Sequence, residues 1–273
     1  MVTLPVDYNK KRINVSPVGF EFDRIFIPLK EKKYDKVILI SHKGEDSDRA
    51  ENYFNLLEKE IKGIKIEREY CDVNDLYDSL SLFYRILKKE KGNEIWINLS
   101  SGSKVVAMAG MLSSMMFGEE NTAVPFYVVP KIQVRDKKYN KTANEFTKKM
   151  EKKYKNMQID KPESFGVSRT FVMPRFKIEK TDPELINVLR IINKAGGEIE
   201  NSKLKNELVG LGKINIKRKS KIENKSAPFV ALKRKYLDKM SSLIEQKLVG
   251  REKIITLTEE GKNLLKIYGE NFD

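Results

Sequence analysis

The sequence predicts an α/β fold, a doubly wound and mostly parallel sheet, followed by a small basic domain of helices and one hairpin. Three observations predict it. Short apolar runs alternate with stretches of helical spacing through the first half of the chain. The run Val37-Ile38-Leu39-Ile40 is apolar at every position, as a strand covered on both faces must be. From Thr181 onward the pattern changes to short amphipathic helices and a Gly250-Arg251 turn.

Each element follows from local signals. Ile13 to Ser16 reads as a first strand that runs into SPVGFEFDRIFIPL, and Val37 to Ile40 as the second. Glu45 to Ile61 carries Tyr53, Leu56, Leu57 and Ile61 at helical spacing. Ile64 to Tyr70 is the next strand. Val73 to Lys91 is the next helix, striped by Leu76, Leu80, Phe83, Ile86 and Leu87 and stopped by Gly92-Asn93. Ile95 to Leu99, a helix from Ser103 to Phe117, and Val124 to Val129 complete the alternation. Strands and helices of these lengths imply right-handed crossovers in one sheet. The expected organisation is a first domain over 1–160, a connector over 161–180, in which Phe165 to Ile178 either closes the first sheet or bridges onward, and a second domain over 181–273.

Composition narrows the function classes. The chain has 273 residues, 34% charged and 40% hydrophobic, which suits a globular protein. Cys71 is the only cysteine and His42 the only histidine, so neither an internal disulfide nor a His/Cys metal centre is expected. No signal-peptide pattern opens the chain. The most apolar stretch, Val105 to Phe117, is shorter than the roughly 20 residues a bilayer span requires. The expectation is a soluble cytoplasmic protein without membrane association, metal or bound cofactor. The net charge of +14 is unevenly spread: Leu211 to Met240 holds 10 basic and 2 acidic residues. A concentrated patch favours phosphate contact over a merely solvated surface.

In doubly wound sheets ligands sit beyond the carboxyl ends of the strands. Three loops lie there: Pro17-Val18-Gly19-Phe20, Ser41-His42-Lys43, and Asn98 to Lys104, which reads NLSSGSK. The last opens a helix whose first N–H groups have no intrahelical partner and carry partial positive charge. Gly102 allows close backbone approach and Lys104 adds a full charge, so a phosphate is a natural guest. The alternative is an ordinary capped turn with Lys104 in water. Rival motifs fail: the turn lacks the glycine spacing and order of a P-loop, no G-x-G-x-x-G follows the first strand, and S-x-x-K lacks its Ser-Asp-Asn and Lys-Thr-Gly companions.

With PVGFEFDR after the first strand and NLSSGSK after the fourth, the domain resembles the CARF family, the CRISPR-associated Rossmann-like sensors of cyclic oligoadenylates. Ser100, Ser101, Gly102, Ser103 and Lys104 correspond to that family's Thr/Ser-Gly-Gly-Thr-Lys turn, with Ser101 in place of the first glycine. The likeness extends to archaeal regulators that join such a domain to a winged helix. It implies a homodimer with one cyclic oligoadenylate effector held across its dyad. The nominated ligand-binding residues are Val18, Gly19, Phe20, His42, Asn98, Ser100, Ser101, Gly102, Ser103 and Lys104. As in some CARF domains, the alternative is a metal-independent ring nuclease that cleaves its ligand in the same cleft.

The second domain is built from start and stop signals. Thr181 or Asp182 caps a helix with Pro183 in its first turn, and Gly196-Gly197 ends it. Asn201-Ser202 caps a second helix, Pro228 to Lys247 forms a third, Leu248 to Leu257 forms a hairpin, and Thr258 caps a last helix. This order matches a winged helix-turn-helix, whose partner is double-stranded DNA. The expected contacts are Lys217, Arg218 and Lys219 before the third helix, Lys233, Arg234, Lys235 and Lys239 on it, and Arg251 and Lys253 on the wing.

Overall fold

The structure is a computed structural model. It describes residues 10–43, 47–118, 122–134, 162–174, 181–214 and 227–269, with isolated positions between them. Lys217, Arg218 and Lys219 lie outside the described residues. The chain divides into two compact units, 1–179 and 180–273.

In the first unit the strands are β1 (Arg12–Pro17), β2 (Lys36–His42), β3 (Lys65–Cys71), β4 (Glu94–Asn98), β5 (Thr122–Gln133) and β6 (Ser164–Val172). The helices are α1 (Phe22–Glu31), α2 (Ser47–Glu60), α3 (Leu76–Lys89) and α4 (Lys104–Met116). The sheet runs β3-β2-β1-β4-β5-β6, with every pair parallel except β5–β6. This is the expected doubly wound α/β fold. The strand order reverses between β1 and β4, so the crevice beyond their carboxyl ends is the topological switch point. Ile13, Val15, Ile38, Leu39, Ile95 and Ile97 are fully or almost fully buried, consistent with helices on both faces.

β6 lies in the 161–180 stretch and joins the first sheet as its antiparallel edge, the first of the two alternatives expected for Phe165 to Ile178. One feature departs from the expected layout. Helix α1 occupies a stretch in which the sequence shows no separate helix. Pro28 sits inside α1 and has no N–H to bond the Arg24 carbonyl one turn earlier. The side chain of Asn98 supplies the missing donor: its Nδ2 donates to the Arg24 carbonyl at 3.1 Å. A tertiary hydrogen bond therefore offsets the proline's local cost.

The second unit contains α5 (Pro183–Lys194), β7 (Glu198–Glu200), α6 (Asn201–Gly210), α7 (Ala227–Lys235), β8 (Ile244–Val249), β9 (Glu252–Leu257) and α8 (Glu259–Tyr268). It is a winged helix, with a three-stranded sheet in the order β7-β9-β8. Asp182 caps α5 by accepting the Glu184 N–H at 2.9 Å, and Thr258 caps α8 by accepting from Gly261 at 3.1 Å. Helix α6 begins at Asn201 itself, with Glu200 in the cap position and no side-chain cap. The expected helix over Pro228 to Lys247 ends at Lys235. A single 3-10 turn, Leu237–Lys239, follows, and the wing begins at Ile244 rather than Leu248. Leu232, Tyr236, Met240 and Ile244 are all buried. Their spacing of four mimics one helical face, while the last of them already pairs with Leu257 in the hairpin. No helix among the described residues is long and apolar enough to cross a membrane.

Candidate functional site

A cavity of about 1030 Å³ opens at the switch point. Its walls are the turn from Leu99 to Lys104, Ala107 of α4, Glu21 and Arg24 of α1, Tyr127 of β5, and Glu163 just before β6.

The polar side chains of the turn fix its shape. Asn98 is buried, and its Oδ1 accepts the Ser100 N–H at 2.9 Å while its Nδ2 holds α1. The Ser100 Oγ accepts the Val128 N–H at 2.6 Å. The Ser101 Oγ accepts the Gly19 N–H at 3.1 Å, tying the β1 loop to the β4 loop. Ser103 is the α4 cap: its Oγ accepts the Val106 N–H at 3.1 Å and donates to the Val73 carbonyl.

With the hydroxyls so engaged, the backbone is what remains open. The N–H groups of Ser101, Gly102, Ser103, Lys104 and Val105 have no acceptor among the described residues. Gly102, at φ 82°, turns this run of amides, and a Cβ there would meet the Pro17 Cβ at 2.8 Å and the Val106 Cγ1 at 2.9 Å. Lys104 is exposed and makes no ion pair among the described residues. Unpaired amides at a helix start beside a free ammonium group make an anion site.

The remaining nominated residues are placed differently. Gly19 packs on the back of the turn. Val18 is buried in the hydrophobic core, and Phe20 packs against that core with its ring edge-on to Tyr53 at 5.7 Å. His42 ends β2, where its Nδ1 accepts the Val73 N–H at 3.3 Å. Val18, Phe20 and His42 do not line the cavity, because packing and loop hydrogen bonds already occupy their side chains.

Sequence reasoning misses Glu21, Arg24 and Tyr127. The Arg24 Nη1 donates to the Glu21 Oε1 at 3.0 Å and its Nε to the Val128 carbonyl at 2.9 Å, while its guanidinium lies 4.9 Å from the Tyr127 ring centre. Burial pushes the Glu21 carboxyl above its ordinary value, against the Ser164 hydroxyl and the Arg24 charge that favour its ionised form. The signal for this pair is the three-residue spacing of an acid and a base on one helix face, hidden with the helix itself.

In the second unit, Lys233, Arg234, Lys239, Arg251 and Lys253 are exposed and make no ion pair among the described residues. Lys235 differs: its Nζ pairs with the Glu184 Oε2 at 2.9 Å and donates to the Lys213 carbonyl at 3.2 Å. The hydrogen bond that Lys235 donates to Glu184 raises the Lys235 pKa above its ordinary value.

Residues 12–133 match the family model described as HFX_2341_N:-like, N-terminal, and residues 184–269 match the DUF6293 C-terminal winged helix domain. The chain is 30% identical over 193 residues to the uncharacterized protein MJ1513 of Methanocaldococcus jannaschii, an alignment covering 67% of this chain and 56% of the relative. The chain thus spans about half the length of that relative. Among solved structures it is similar to Can2 from Sulfobacillus thermosulfidooxidans in complex with cyclic tetra-adenylate, at 16% identity and a TM-score of 0.36 over 43% of this chain and 32% of that one. It is also similar to Csm6 from Enterococcus italicus bound to cyclic hexa-2'-fluoro-hexa-dAMP, at 12% identity and a TM-score of 0.39 over 85% and 54%.

Proposed function

We propose that the chain is a ligand-responsive DNA-binding regulator linked to CRISPR defence in the cytoplasm. Its effector is a cyclic oligoadenylate, or a related cyclic nucleotide, bound at the switch-point cavity. The observation that carries this is the run of five open amides from Ser101 to Val105 beside the free Lys104. An anion there gains charge-assisted hydrogen bonds from groups that are already fixed, so little ordering is required on binding.

The protein acts as a homodimer. Met108, one residue beyond Ala107 of the cavity wall, is 53% exposed on an almost wholly apolar helix. A second copy placed over this face of α4 brings two cavities together, and a symmetric cyclic ligand fits such a dyad. The winged helices then engage double-stranded DNA through Lys233, Arg234 and Lys239 and through Arg251 and Lys253 on the wing. A coupling of only about 1–3 kcal/mol between ligand and DNA sites changes operator occupancy measurably.

The test is a thermal-shift screen of cyclic oligoadenylates of different ring sizes, followed by DNA titration with and without the active ring. A ring that raises the melting temperature and changes DNA affinity supports the reading. A protein that binds DNA but responds to no ring is a constitutive binder, and the sensor reading is then wrong.

A further inference from the structure

Val73 is held at both of its backbone groups by side chains from two other loops. Its N–H donates to the His42 Nδ1 at 3.3 Å, and its carbonyl accepts the Ser103 hydroxyl. The same hydroxyl caps α4, where it accepts the Val106 N–H at 3.1 Å. His42 thus stands one residue away from the turn with the open amides, although its ring does not line the cavity. The rest of the loop after β3 is built without it. Asp72 donates its N–H to the Asp78 carboxylate at 2.7 Å and accepts the Asn74 N–H at 2.9 Å.

The His42 Nδ1 also lies 3.7 Å from the Asp72 Oδ1, so one nitrogen faces a donor and an acceptor. In the neutral ring, with its proton on Nε2, Nδ1 is an acceptor and takes the Val73 N–H. In the protonated ring both nitrogens are donors, so Nδ1 must release Val73 and turn to the carboxylate. Lys43, Asp78 and Cys71 complete the titratable surroundings. The hydrogen bond between Lys43 and Asp78 raises the lysine and, outweighing burial, lowers the carboxyl. Cys71 is the register partner of His42, and burial pushes its thiol up to about 11. These three groups therefore keep one charge state from about pH 5 to pH 8, the range in which histidine ordinarily titrates.

We infer that His42 is a positioning residue for the anion-binding turn, fixing Val73 and through it the Ser103 cap of α4, and that its protonation exchanges Val73 for Asp72 and loosens the turn. This rests on the proposal that the turn receives a phosphate of a cyclic oligonucleotide. Acid then weakens ligand binding. Coulomb's law alone gives the opposite sign, because a positive charge added to the ring attracts an anion. The sign of the pH dependence therefore separates positioning from simple charge.

The experiment is a pair of titrations of the full chain from about pH 8 to pH 5. NMR without ligand follows the His42 ring and the backbone amides of Val73, Gly102 and Ser103. Calorimetry measures the affinity for cyclic tetra-adenylate. The three amides move with the His42 midpoint, and affinity falls toward acid by about three- to tenfold, the worth of one neutral hydrogen bond. His42→Asn places an uncharged amide oxygen where Nδ1 stands, so it restores the acceptor for Val73 and abolishes the acid-dependent loss. It also isolates the histidine from Glu21, the cavity-wall carboxyl that burial raises. Gly102 and Ser103 amides that ignore the His42 midpoint overturn the inference. Wild-type affinity that is flat or rises toward acid also overturns it, as does a loss that persists undiminished in His42→Asn. Cyclic tetra-adenylate that binds at no pH overturns the turn as a ligand site, while the amide shifts still decide whether His42 acts on it. Both wild-type titrations stand whether or not the variant folds.

Discussion

Gly19 and Gly102 meet backbone to backbone: a Cβ on Gly19 would stand 2.7 Å from the Gly102 nitrogen and 3.0 Å from its Cα. The loops after β1 and β4 thus touch where no side chain fits, and the Gly19 N–H is also bonded to the Ser101 Oγ. Gly19→Ala must push the turn aside. We expect a loss of about 1–3 kcal/mol of stability in chemical denaturation, the usual cost of overpacking a site with no room. Nucleotide affinity falls with it, because the amide row is displaced.

The winged domain makes a divided prediction. Changing Lys233 and Arg234 to alanine lowers the slope of log affinity against log salt by about 2, since each lost phosphate contact removes roughly one released counterion. Lys235→Ala changes the slope less, because its ammonium is already held by Glu184. Salt titrations by fluorescence anisotropy check this. Equal slope changes for all three positions would show that the Glu184 pair opens on DNA.

Acid stability has a local contributor. Burial alone would raise the pKa of Glu67, but hydrogen bonds from Lys36, Lys89 and Lys65 outweigh it and hold the carboxyl at about 2. A carboxyl lower in the folded than in the unfolded state contributes stability above the unfolded value of 4.5, and that contribution is lost as pH falls toward 2. Denaturation of wild type and Glu67→Gln across this range should show the two curves converging at low pH. Parallel curves would contradict the assignment.

The exposed α4 face carries a prediction about assembly. Met108→Arg places a charge at the centre of the proposed dimer contact and should give a monomer in sedimentation velocity, with the melting temperature nearly unchanged. A dimer that survives the substitution moves the contact elsewhere.

How much of this is legible in the sequence depends on whether the signals are local. Val37 to Ile40 and Ile95 to Ile97 mark buried parallel strands, and Ser103 with Gly102 marks the α4 turn. Helix α1 is hidden because Pro28 argues against it. The Asn98 side chain that makes the proline tolerable bonds the Arg24 carbonyl from 74 residues further along the chain. Glu21 and Arg24 vanish with the helix as site residues. The third helix of the winged domain reads too long for a related reason. Leu232, Tyr236, Met240 and Ile244 keep a spacing of four, although the chain leaves the helix at Lys235. Only the pairing of Ile244 with Leu257 separates strand from helix there.

The most direct measurement is calorimetric titration of wild-type protein and Lys104→Ala with cyclic tetra-adenylate. Lys104 is exposed and unpaired among the described residues, so its removal should leave stability within about 0.5 kcal/mol. The account predicts one ligand per dimer for wild type and an affinity lower by about 10–100-fold for Lys104→Ala, the worth of one charged hydrogen bond. Undiminished affinity in Lys104→Ala would contradict the claim that the α4 turn and its lysine receive the ligand's phosphate.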